Sequence, residues 1–231
     1  AHFSPGLQDC QVRLWGAERT AQKYGMRRDE LDAYALESHR KALHARKERI
    51  LEPYLSHGHA YVDQSLRPHM SERLLARMPC LLGTHTVTTA GNACLTHDGA
   101  AFLALSTEKS DMRIIGFMPW AGNPDYSPEG AWKSTESLLR SLHMTIDDID
   151  VIDWNEAFAC IDGLFYRRYP KAVKRFNPLG GALAYGHPYG CSGAMLVIHA
   201  MASWRHRGGR YALCAIAGAG GTGTAIMIEH D

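Results

Sequence analysis

Residues 177–194 read Asn-Pro-Leu-Gly-Gly-Ala-Leu-Ala-Tyr-Gly-His-Pro-Tyr-Gly-Cys-Ser-Gly-Ala, with a single histidine, His187, set between Gly186 and Pro188. Gly190 and Gly193 follow closely, and an apolar run begins at Ala194 and extends to Met201. Glycines let backbone approach a ligand, and Pro188 fixes the exit of the turn. The histidine therefore sits on a glycine-rich turn just ahead of a helix. A lone histidine is more often structural, by roughly three to one. This setting reverses the odds and marks His187 as a positioned acid or base.

Working outward, three more segments carry comparable signals. Residues 151–159 read Val-Ile-Asp-Trp-Asn-Glu-Ala-Phe-Ala, a short apolar strand followed by Asn155 and Glu156 at the opening of a helical run. Residues 211–229 read as strand, glycine cluster (Gly218, Gly220, Gly221, Gly223) and strand. Upstream lie Thr89-Ala90-Gly91-Asn92-Ala93-Cys94 and Asp98-Gly99-Ala100. Around them, helical spacing marks Ala17–Tyr24 and Arg28–Ile50, with Asp29 as the expected N-cap of the second helix. Residues 51–83 read as irregular, broken by Pro53, Pro68 and Pro79. Residues 84–109 suggest a loop, a small-residue helix from about His97 and an apolar strand at Phe102–Leu105. From residue 112 onward strands and helices alternate: strands at Met112–Phe117, Val151–Ile152, Tyr211–Ile216 and Thr224–Glu229, helices at Ser134–His143, Ala157–Tyr166 and Met195–Trp204. That alternation predicts an α/β layered domain.

Bulk properties narrow the function classes. The 231 residues are 45% hydrophobic, which suits a globular core. With 25 basic against 24 acidic residues, nothing points to nucleic acid. The basic face of the second helix (Arg40, Lys41, Arg46, Lys47, Arg49) reads first as a solvated face, and second as help for a phosphorylated ligand. No apolar run approaches the roughly 18–20 residues of a membrane span. The opening Ala1-His2-Phe3-Ser4-Pro5 lacks the apolar centre of a secretory leader. Six cysteines (10, 80, 94, 160, 191 and 214) form no CxxC pair, so reduced thiols in the cytoplasm or an organelle matrix are expected. His57-Gly-His59 has no partner motif, and no metal site is expected.

The four segments, in order along nearly the whole chain, resemble the thiolase family. Asn155-Glu156-Ala157-Phe158 is similar to its NEAF motif and Gly186-His187-Pro188 to its GHP motif. Ala217–Gly223 is similar to CxGGGxG with changes, and residues 89–100 to TAGNAS…NDGAA. The resemblance implies an αβαβα layered sandwich built from two βαβαβαββ halves with an inserted loop domain. On that pattern residues 1–83 are the loop domain that binds substrate, 84–110 the last piece of the first half, and 111–231 the complete second half. The front of the first half, which in the family carries the nucleophilic cysteine, has no counterpart.

The same resemblance implies the chemistry. His187 takes the proton of the nucleophilic thiol, and Asn155 holds the water that completes the first oxyanion site. The backbone N–H of Ala219 falls where the family's glycine loop contributes to the second. Arg67 corresponds to an arginine at the adenine of CoA; Ala90, Cys94 and Phe158 are implied along the CoA channel. The family's loop histidine near the pantetheine finds no match at Val12–Gly16. Ala217 stands where the family has a second cysteine that moves a proton at the α-carbon, and a methyl group cannot do so. Cys214, three residues earlier on a strand, should face the other way; Cys191 and Cys94 are nearer candidates. The expectation is one subunit of a hetero-oligomeric acyltransferase. It uses a CoA or carrier thioester as substrate, holds no tightly bound cofactor, and receives its nucleophile from a partner chain that resembles the N-terminal half. The alternatives are a decarboxylative or acyl-transferring condensing enzyme, a non-catalytic scaffold, or a fragment of a longer chain.

Overall fold

The computed structural model describes residues 12–56 and 63–231; His57, His59 and Cys10 lie outside them. The chain opens with α1 (Val12–Lys23) and α2 (Arg28–Lys47), followed by the single-turn α3 (Glu72–Ala76). Leu31, Ala35, Ser38, Ala42 and Ala45 make one buried stripe along α2, as helical spacing requires. Asp29 is not its N-cap. The cap is Arg27, whose backbone N–H donates to the Glu30 carboxylate at 3.3 Å, while its guanidinium holds Asp29 at 2.8 Å. Asp29 thus lies inside the first turn, where a negative charge suits the helix dipole.

The second part is an α/β layer: β1 (Met112–Ala121), α4 (Glu129–Ser141), β2 (Val151–Trp154), α5 (Ala159–Arg168), α6 (Ala182–Tyr185), α7 (Ser192–Arg207), β3 (Tyr211–Gly218) and β4 (Thr222–His230). The strands form one mixed sheet in the order β1-β4-β3-β2, with β2 parallel to β3 and the other pairs antiparallel. Between α5 and α6 the chain pairs with β2 through one parallel bridge, Ile152 to Phe176; Asn177 then turns into the left-handed region (φ 40°) and Pro178 cannot donate to a ladder.

Alternation along β3 sorts its side chains to two faces. Ala212 and Cys214 pack with Leu196, Ala200 and Trp204 of α7. Leu213 and Ala215 pack on the opposite face with α4 and α5, and α1 and α2 extend that core. Its centre is aromatic: Phe165 stacks on Phe176 at 4.0 Å, and Trp154 meets Phe165 edge-on at 5.0 Å. The expected helix and strand at residues 97–108 are absent. Residues 97–105 run without regular structure, and Phe102 and Leu105 are 93% and 77% exposed. An apolar strand needs a neighbour to pair with, and none stands beside this segment among the described residues.

Candidate active site

Buried polar side chains tie two of the sequence motifs to α1 and α2. Glu18, fully buried on α1, accepts hydrogen bonds from the Val87 and Thr88 backbone and from the Thr88 hydroxyl at 2.8 Å. Asn92 accepts from the Thr89 N–H at 2.8 Å and donates to Asp32 of α2 at 2.9 Å. Glu156 accepts from Ser38 at 2.5 Å and from Asn177 at 2.6 Å, which ties α2 to the turn after β2. Burying such carboxylates is costly unless every lone pair is met, so these contacts fix the loop positions closely.

Backbone pairing then stitches the motif segments to one another. Ala159 N–H donates to Asn92 at 2.9 Å, Cys94 N–H to Ala157 at 3.0 Å, and His187 N–H to Leu95 at 2.8 Å. Gly186, just before the histidine, adopts φ 86°, and a Cβ there would stand 2.0 Å from the His97 ring. Both facts demand glycine at this position.

Around this seam lies a cavity of about 590 Å³ whose lining includes Ala90, Cys94, Phe158, His187, Ala217 and Ala219. His187 is 8% exposed and Asn155 3%. Asn155 Nδ2 stands 3.5 Å from His187 Nε2, and His187 Nδ1 is 2.7 Å from the Ser192 hydroxyl. Burial, helped by the nearby positive charge of Arg13, pushes His187 down from 6.5 to about 4. The imidazole is thus neutral at ordinary pH, with Nε2 turned to the amide and Nδ1 held by a hydroxyl that can donate or accept. That is a base-competent histidine beside an amide dipole. Ala219 lies on the β3–β4 turn and, unlike Tyr189, does not take positive φ, so the expected Gly-to-Ala change is sterically compatible.

The remaining expected residues separate. Arg67 lies away from this cavity on an exposed loop, its N–H donating to His39 at 3.3 Å. Cys94 lines the cavity, but burial pushes its thiol up to about 12, so it carries no thiolate at neutral pH. Cys214 sits under α7 with its thiol toward the Leu196 carbonyl, on the face opposite Ala217. Among the described residues no cluster of side chains could hold a metal ion. Three residues escaped the sequence reading. Ser192 is on the GHP turn itself, five places after His187, and that spacing was a usable signal. Tyr189 has its ring centre 4.7 Å from that of His187, and Arg13 lies over the Tyr189 ring at 4.8 Å. Nothing in sequence spacing links Arg13 to a turn so far along the chain.

Residues 109–230 match the family model for the thiolase C-terminal domain, and residues 11–109 the model for the thiolase N-terminal domain. The chain belongs to the thiolase family. Similar curated thiolases include a putative acetyl-CoA C-acetyltransferase of Bacillus subtilis, 32% identical over 99% of this chain and 66% of its own length. A beta-ketoadipyl-CoA thiolase of Pseudomonas putida is 33% identical over 93% of this chain and 58% of its own. The solved human mitochondrial 3-ketoacyl-CoA thiolase superposes with a TM-score of 0.86 at 27% identity, covering 94% of this chain and 59% of that one. The thiolase-type layered α/β fold is therefore established. The chain spans between about half and two thirds of the length of these relatives. No helix among the described residues is long and apolar enough to cross a membrane.

Proposed function

We propose that this chain supplies the acid–base half of a thiolase-type acyltransferase acting on CoA or carrier thioesters, and that a cysteine on a partner chain supplies the nucleophile. The observation that carries the reading is the neutral His187 at the wall of the cavity, with Asn155 beside its outer nitrogen and Ala219 on the same wall. His187 removes the thiol proton; the thiolate attacks the thioester carbonyl, and CoA leaves as its thiol. Asn155 and the Ala219 N–H face the negative charge that develops on oxygen. Ala90, Cys94 and Phe158 line the path of the CoA arm, and Arg67 reaches the adenine end.

The proposed division places the loop domain at residues 1–83, the end of the N-terminal half at 84–110 and the C-terminal half at 111–231. Apolar surface supports the partner. Helix α7 is apolar on more than one side, yet Val197, Ile198 and Met201 are only half-buried; Phe102 and Leu105 are open. Obligate interfaces of this kind bury more than roughly 2,000 Å². The test is to expose the protein, with whatever co-purifies, to acetyl-CoA and locate any acylated cysteine by mass. An acyl group on a partner cysteine is the expected result; no acylation in native protein would refute the reading. A second reading, decarboxylative condensation, is favoured by Ala217, whose methyl lines the cavity where the ordinary reaction needs a base.

A further inference from the structure

Asp153, Glu156 and Asp162 are each 2% exposed or less, and the proposed acyl transfer uses none of them directly. Glu156 is met by donors whose own orientation is fixed. The Gly181 N–H donates to the Ser38 hydroxyl at 3.1 Å, which turns the Ser38 O–H onto Glu156. Asn177 takes the Trp154 N–H on its carbonyl at 2.8 Å and gives its amide to the Trp154 C=O and to Glu156. The Leu183 N–H adds a third donor at 3.4 Å. A group that only accepts is a carboxylate, not an acid. Asp162, in the first turn of α5, stands within hydrogen-bond reach of this carboxylate. Two bare carboxylates do not share a buried contact, so the proton between them belongs to Asp162. Its Oδ2 finds no donor, which suits a neutral acid and not an anion. Burial, then the charge of Glu156 and the hydrogen bond to it, push Asp162 well above the ordinary carboxylate range. Lys41 of α2 opposes this less strongly, its Nζ donating to the Phe176 carbonyl at 2.9 Å. Burial keeps the other titratable neighbours neutral at pH 7: Tyr34, Tyr166 and Cys160 around Asp162, Tyr185 and Asp153 around Glu156.

We propose that Asp162 is a positioning residue for Asn155: as a neutral acid it donates to Glu156, and that bond holds the turn after β2 in the form that brings the Asn155 amide to His187. This rests on the reading of the cavity as an acyl-transfer site. The backbone carries the link. The Asn155 N–H donates to the Ala215 C=O at 2.9 Å and the Ala157 N–H to the Asn155 C=O at 2.9 Å, so the turn is pinned on both sides of Glu156. Asn155 Nδ2 stands 3.5 Å from His187 Nε2, the outer limit of a hydrogen bond, so a small rotation of the turn ends the contact. When Asp162 loses its proton, two like charges face each other away from water, and Glu156 must move. The acid is raised, so the contact is complete at low pH and is lost as pH rises through its folded value.

The test follows the Asn155 side-chain amide and the His187 ring nitrogens by NMR, in purified protein with any polypeptide that accompanies it, as pH is raised from neutral into the alkaline range. His187 is neutral throughout, so its own titration does not interfere. In native protein both signals are expected to shift together in one transition. D162N gives Glu156 an amide donor that cannot ionise and should keep the neutral-pH positions at every pH. D162L gives no donor and should displace both signals already at neutral pH. Infrared difference spectra, native minus D162N, should show the carbonyl stretch of a protonated carboxyl group. Absence of that band, a flat native profile, or a transition that survives in D162N, as titration of Asp153 would give, overturns the proposal. Native signal positions in D162L overturn it as well; if D162L does not fold, the comparison of native protein with D162N decides alone. The rate of acylation by acetyl-CoA should fall about tenfold or more across the same transition in native protein and hold in D162N. A rate that ignores the transition overturns the positioning role. If no acylation occurs while the signals behave as expected, the acyl-transfer reading fails and the link from Asp162 to Asn155 stands.

Discussion

On the proposed reading His187 concentrates the chemistry of this molecule in one side chain, and the site around it yields three expectations. Replacing it by Ala should slow acyl-enzyme formation by roughly 10²–10⁴, the usual worth of a lost general base; unchanged acylation in His187→Ala would remove it from the mechanism. Burial and then Arg13 hold the imidazole at about 4, below its ordinary value of 6.5. The acylation rate should therefore stay flat from neutral pH to about pH 5 and fall only as the ring protonates near pH 4. A limb centred near 6.5 would show that the ring is solvated during the reaction. The third expectation concerns Ala217. The native assembly should exchange the α-protons of acetyl-CoA with deuterated water slowly or not at all, and Ala217→Cys should speed that exchange. Equal rates in the two proteins would reveal another base, and the restricted-acyltransferase reading would be abandoned.

Elements place these residues through backbone contacts that leave no room for side chains. Gly130 of α4 and Gly223 of β4 touch: a Cβ on Gly223 would lie 2.1 Å from the Gly130 carbonyl oxygen, and one on Gly130 would lie 2.1 Å from that of Thr222. This contact sets the height of the β3–β4 turn, whose Gly221 carbonyl also accepts from Gly122 at 2.7 Å. Gly223→Ala should cost roughly 1–3 kcal/mol in urea unfolding, since rigid backbone on both sides cannot relax. A variant as stable as the native protein would show that α4 and β4 slide freely. Element types from residue 112 onward were legible, because strand and helix periods alternate there. The ends were less so: α7 starts at Ser192 and α5 at Ala159. The false helix and strand at 97–108 had the right composition and lacked a partner surface, which composition does not report.

At the scale of the whole molecule, buried carboxylates and uncovered apolar surface govern behaviour. Asp153 is fully enclosed with Oδ2 unpaired, and burial followed by the charge of Glu156 raises it from 3.8 to about 8. The folded state thus binds a proton that the unfolded state releases between those values. The stability linked to that proton is complete below pH 4 and lost as pH rises through 8. Asp153→Asn, which needs no proton, should gain on the native protein by on the order of 3 kcal/mol between pH 5 and 8, then run parallel to it. A difference independent of pH would place the charge in solvent. If the proposed partner is required, the chain expressed alone should self-associate through the α7 flank and the Phe102 segment; a monodisperse, cooperatively melting monomer would contradict that requirement.

The sequence alone determined the family resemblance, the α/β alternation, the histidine on its glycine turn and the absence of a proton acceptor at residue 217. These are local patterns: spacing, turn chemistry and residue type within a few positions. Tertiary structure decided the rest. It brought residues 92–97, 155–159 and 187 onto one seam through backbone hydrogen bonds. It withdrew Cys94 from reactivity by burying its thiol, and it laid Arg13 against Tyr189 across 176 positions of chain. Such contacts depend on how the helices close over the sheet. Desolvation and through-space charge follow from that closure, and neither leaves a period or a motif in the sequence.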